Sequence, residues 1–97
     1  MSSSLAALEQ LLALSEEMVG AAGRQEWETL ASREAERRAL ADSLPETLTS
    51  DLSAAGQMRA RALIEGCLRC DERIRPLVST RLNELRVLLR HDQRRDA

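Results

Sequence analysis

Residues 63–89 read LIEGCLRCDERIRPLVSTRLNELRVLL, and the way this stretch winds decides the fold. Leu63, Ile64, Cys67, Leu68, Cys70, Ile74, Leu77, Val78, Leu82, Leu85, Leu88 and Leu89 recur at spacings of three and four. That is the period of a helix, not of a strand. On a helical wheel they cover roughly half the circumference, whereas a single packing partner needs a stripe only about 100° wide. A helix here must touch two neighbours, or one neighbour and something outside the chain. It is expected to start near Ser50 or Ser53 and to reach Arg90, roughly 40 residues and ~60 Å at 1.5 Å per residue. Pro76 lies within it and removes one backbone hydrogen bond opposite the Glu72 carbonyl. A kink is therefore expected over 72–75.

Two shorter helices precede it. Over 24–43, Trp27, Leu30, Ala31, Ala41 and Leu44 share a face. Glu34 and Arg38 sit on the same face, one turn apart in the order that favours an ion pair. Pro45 ends this helix, and 44–50 (LPETLTS) is the one long loop. Over 4–22, Leu5, Leu8, Leu12 and Val19 make one apolar stripe, with Leu11 and Met18 beside it. Ser3 or Ser4 is a fitting N-cap, and Gly23 the expected C′ residue. The tail 91–97 is polar and expected to fray. The fold class that follows is all-α: an antiparallel three-helix bundle with a long, Pro-kinked third helix, one domain over residues 1–97.

Composition agrees. A chain of 97 residues makes one domain. Leu, Ala, Glu and Arg dominate, and Trp27 is the sole aromatic, a bias toward helix and against sheet. The most apolar segment is interrupted by Glu9, Glu16 and Glu17, so no membrane insertion is expected. The first basic side chain is Arg24, which leaves the start without the charged region of a secretory signal. Two cysteines are too few for a disulfide framework. These features point to a reducing, cytoplasmic setting. Residues 1–51 hold four arginines against ten carboxylates, net −6; residues 52–97 hold ten against six, net +4. The halves attract each other, and the basic half suits an acidic partner.

No residue set supports catalysis, so an enzyme is not expected. Cys67 and Cys70 have the spacing of a metal or redox pair, but zinc wants four ligands and the only other strong candidate, His91, lies about six turns on. Cys67 instead reads as a small hydrophobe in the seam, and no cofactor or metal is implied. His91 has no nucleophile near it in sequence. Asp71 has no second acid on its face and reads as half of a structural ion pair with Arg37 or Arg38. The arginines of residues 69–95 scatter around their helix with no aromatic between them, which disfavours nucleic-acid binding. Trp27 reads as a core anchor.

The stretch Gln25-Glu26-Trp27-Glu28-Thr29-Leu30-Ala31-Ser32-Arg33-Glu34 resembles the Trp-x-x-Leu-x-x-x-Glu signature of FliT-type flagellar export chaperones. The runs from Leu63 to Val78 and from Arg81 to Leu85 are similar to that family's third helix, and the resemblance extends over about residues 5–90. It implies a cytoplasmic helical chaperone. Such a protein binds the C-terminal region of a FliD-like filament-cap protein through apolar helix faces and delivers it to the export apparatus. Further partners it implies are the export ATPase complex, the export gate and a flagellar transcriptional regulator. Well-known members carry another C-terminal helix that covers the binding surface. This chain is expected to end without one, and its Pro76 also departs from the family pattern.

Joined to the wheel, the resemblance implies a client helix lying along Ile64, Leu68, Leu82 and Leu89, or along Leu77 and Leu88, with Leu85 between the two edges. Trp27, Leu30, Glu34, Arg38, Cys67, Asp71, Ile74 and Val78 are then structural. Two readings of another class remain open: a self-associating structural or adaptor protein that buries the same stripe in a homodimer, and a transcription-linked regulator.

Overall fold

A computed structural model of the chain describes residues 3–48 and 50–95. They form three helices and, among the described residues, no strand: α1 (Ser3–Gly23), α2 (Trp27–Asp42) and α3 (Ala54–Arg95). Leu8 of α1 clusters with Ala60 and Leu63 of α3, and Met18, further along α1, clusters with Ile74. The two helices therefore run in the same direction. Leu30 of α2 packs among Met18, Ala21 and Ala22, while Arg37 reaches back to Ser15, so α2 runs opposite to both.

α1 is the central element. It packs against α2 on one side and α3 on the other, whereas no α2 Cα lies within 8 Å of an α3 Cα among the described residues. The wide stripe of α3 thus meets one neighbour at backbone distance, and α2 stands off from it. Gly66 permits the close approach of α1 and α3. A Cβ there would sit 3.0 Å from the Leu12 Cδ1.

The turn between α1 and α2 differs from the sequence expectation. Gly23 is the last residue of α1, and Gln25 takes the left-handed position at φ 61°. The Glu26 N–H donates to the Ala21 carbonyl (2.9 Å) and the Gln25 N–H to the Ala22 carbonyl (3.1 Å). These are the two bonds of a Schellman motif with Gln25 at C′. α2 consequently starts at Trp27 rather than at residue 24 or 25. It ends at Asp42, two residues ahead of Leu44, whose conformation Pro45 restricts.

The link to α3 is tacked down by Leu48 and Leu52, which pack beneath the Leu8–Ala60–Leu63 cluster. Ser53 then caps α3: its Oγ accepts from the Gly56 N–H at 3.1 Å. Of the two serines the sequence offers, it is the later one that starts the helix. α3 passes through Pro76 as one unbroken helix. Pro76 is exposed, so water can take the carbonyl that loses its partner. At the far end, residues 91–95 are helical rather than a frayed tail; residues 96 and 97 lie outside the described residues.

The result is elongated. Its extents are 64 × 21 × 17 Å and its radius of gyration is 17.8 Å, against about 12.5 Å for a compact chain of this length. The accessible surface is 7243 Å²; a compact monomer of this mass exposes about 5,500 Å². Much of the excess comes from α3. α1 ends beside Ile74 and Val78, and among the described residues α3 carries on alone for some four turns past Arg81.

Candidate interaction groove

Because α1 holds α2 and α3 apart, a groove of about 630 Å³ opens between them. Met18 of α1 makes its floor. Trp27, Leu30 and Ala31 line the α2 wall, and Ile74, Val78 and Leu82 the α3 wall. Leu30 and Ile74 are buried, Trp27 and Val78 half-buried, and Leu82 is 47% exposed. The surface therefore passes from covered core to bare leucine along α3. A concave apolar strip of this kind is what an amphipathic helix can lie in.

Polar groups border the apolar lining. The Arg37 guanidinium donates to Asp71 Oδ1 at 2.8 Å and to Ser15 Oγ at 3.1 Å. Ser15 is fully buried and donates its own proton to the Leu11 carbonyl at 2.9 Å. Of the two arginines that the sequence offers Asp71, the fold pairs it with Arg37, and this node ties α2 to α3 across the face of α1. At the other end Arg81 lies over the Trp27 ring, 5.8 Å from its centroid, a cation–π contact. Trp27 is thus half core residue and half groove wall. On α2, Glu34 is held by Arg38 one turn on; Arg38 itself is exposed.

The seven groove candidates read from the stripe, Ile64, Leu68, Leu77, Leu82, Leu85, Leu88 and Leu89, are all exposed, from 37% at Leu77 and Leu85 to 61% at Leu89. The fold does not gather them into one place. Leu82 lines the groove. Leu85, Leu88 and Leu89 lie on the free end of α3, and Ile64 and Leu68 lie nearer its start. Leu82 sits on the edge of α3 that faces α2, which is the edge the wheel assigns to Ile64, Leu68 and Leu89; Leu77 and Leu88 sit on the other.

The wheel of α3 leaves out three parts of the site. Met18 comes from α1. Ser15 has a signal: a serine set between Leu12 and Met18 on an apolar stripe. Arg75 and Arg86, on the rim of the groove, have none beyond being arginines. Cys67 is half-buried and Cys70 buried in the α1–α3 seam, both as free thiols. Burial pushes the Cys70 thiol up, with nearby Glu16 adding to the effect. Among the described residues, no three His, Cys, Asp or Glu side chains converge to hold a metal. No helix there is long and apolar enough to cross a membrane.

Compared with known proteins, the chain matches a family model described as "Flagellar protein FliT" over residues 5–96. No curated protein and no solved structure matches it.

Proposed function

The chain belongs to the FliT family of flagellar proteins, which implies a role as a flagellar export chaperone, and from that premise we propose that it holds the C-terminal region of a filament-cap protein in the groove between α2 and α3. The reading places the protein in the cytoplasm, upstream of the export apparatus, to which the client is handed. One observation carries it: a concave apolar groove continuous with a length of α3 whose leucines are exposed. Exposed apolar surface on this scale marks a docking site. A client helix laid against Met18, Trp27, Leu30, Val78 and Leu82 would hide its own apolar face and be kept from aggregating until export.

The test is co-expression of the chain with the C-terminal segment of its cognate cap protein. The expected result is a stable complex at micromolar concentration, lost when Leu82 and Val78 are both made Ser. Failure to co-purify rejects the reading. Light scattering on the free chain tests the competing one: a tight homodimer with no affinity for the cap segment would assign the bare leucines of α3 to self-association.

A further inference from the structure

We infer that the groove selects an amphipathic helix bearing acidic side chains along the flank that faces α3, and that Arg75 and Arg86 read them. The inference rests on the groove being a client site and concerns the chemistry of what it accepts.

The charges of the groove divide into those already engaged and those left over. Five ionisable side chains line the groove. Arg37 and Asp71 are bonded to each other at 2.8 Å. Glu34 is held by Arg38. Arg75 meets no carboxylate within 4 Å among the described residues, and Arg86 donates only to Asn83 Oδ1 at 3.4 Å, a neutral and long contact. Arg81, between them in sequence, is already committed to the Trp27 ring and to Glu84. The groove's uncommitted charge is therefore two positive groups, both on one wall.

Their spacing sets a ruler. Arg75 and Arg86 are eleven residues apart, three helical turns and ~16 Å along α3. Both sit above the apolar strip made by Ile74, Val78 and Leu82, on the side turned toward α2. A helix lying nearly parallel to α3 in the groove repeats with the same rise. Its matching carboxylates are therefore also about eleven residues apart, beside an apolar ridge at i, i+3, i+4 and i+7. Guanidinium groups at a rim add steering and register more than raw affinity. The effect is to fix which way round, and at which turn, the client seats.

Two synthetic helical peptides of about 18 residues test this. They share one Leu/Ala ridge and differ only at two flank positions eleven apart, which are Glu in one peptide and Lys in the other. Affinity is read by fluorescence anisotropy against the full chain at low salt. The expected result is about tenfold tighter binding of the Glu peptide, shrinking as salt is raised. R75E/R86E should reverse the preference and R75Q/R86Q remove it, with helicity by circular dichroism unchanged in both, since the two side chains are exposed and, among the described residues, in no ion pair. Equal affinity of the unmodified chain for both peptides overturns the inference, as does a preference that survives R75Q/R86Q. A chain that co-purifies with its cap protein yet treats the peptides alike keeps the chaperone reading and loses this one.

Discussion

The two ends of α3 do opposite things with the same kind of residue. Near its start, Leu63 is 2% exposed, closed in by Leu8 and Leu5 from α1 and by Leu48 and Leu52 from the connecting loop. Near its finish, Leu82, Leu88 and Leu89 are about half exposed or more. Side-chain chemistry does not separate the two. What separates them is the reach of the neighbours: α1 runs out beside Val78, and α2 is held off by the width of α1. Where three segments meet, the leucine that faces them is core, while Leu68 on the open flank stays 53% exposed. Where only α3 continues, leucine is an interface awaiting a partner, and stability and binding should divide along that line.

The sharpest way to break this division is Leu63→Ala. Emptying a closed apolar site costs about 2–5 kcal/mol, a large share of the ~5–15 kcal/mol available to a domain. Urea titration should show a strong fall in the midpoint. Cys70, in the same seam, reports locally. Because burial keeps its thiol protonated to higher pH than usual, less of it is thiolate than of an ordinary cysteine at the same pH. Iodoacetamide should label Cys70 slowly in the native chain and quickly in Leu63→Ala. Rapid labelling of Cys70 in the unmodified chain would mean that the covered end is not covered.

The polar node comes next. Asp71→Ala leaves Arg37 without its carboxylate beside the buried Ser15 hydroxyl. For fully buried pairs that loss is about 3–5 kcal/mol. Here the side chains of Arg37 and Asp71 are 24% and 31% exposed, and water should reduce it to about 1–2 kcal/mol. A double-mutant cycle with Arg37→Ala should recover a coupling of about 1 kcal/mol. Since this pair is what joins α2 to α3, its loss should also loosen the groove and weaken client binding. Unchanged binding would show that the position of α2 is set by α1 alone.

A smaller change of opposite sign is expected from Gln25→Gly. A residue with a Cβ in the left-handed region costs about 1–2 kcal/mol, and glycine occupies it freely. The substitution should raise the midpoint of thermal unfolding by about 4–8 °C and leave the groove untouched. Gln25 also shows how far the sequence is readable. The stripe of α1, the breadth of the α3 stripe and the Trp27–Glu34 face are all visible in residue spacing, because period is a property of one helix at a time. The left-handed turn is not: glycine is the residue that announces it, and Gly23 stands two places too early. The order of contacts is hidden for a related reason. Which of three helices sits in the middle depends on how wide α1 is when Gly66 lets it close on α3, and on a buried serine, and neither shows in the hydropathy of α3. Arg75 and Arg86 become conspicuous only after every other charge in the groove has found its partner.

The smallest effect on stability, and the most informative about the site, belongs to a pair of substitutions at the open end. Leu77 and Leu82 are both exposed, at 37% and 47%, so Leu77→Ser and Leu82→Ser should each change stability by no more than about 0.5 kcal/mol. They stand on different edges of α3. Leu82 faces α2 and lines the groove, whereas Leu77 points along the opposite edge, away from α2. If the client lies between α2 and α3, covering the half of Leu82 that is still exposed contributes about 1 kcal/mol to the complex. Leu82→Ser should then weaken binding by about three- to tenfold, while Leu77→Ser leaves it unchanged. The reverse result would move the client to the far side of α3. It would make the groove beside Trp27 a consequence of how the helices are spaced and leave it no part in binding. Equal losses would mean that the client wraps the free end of α3 from both edges, as a second helix of a pair would.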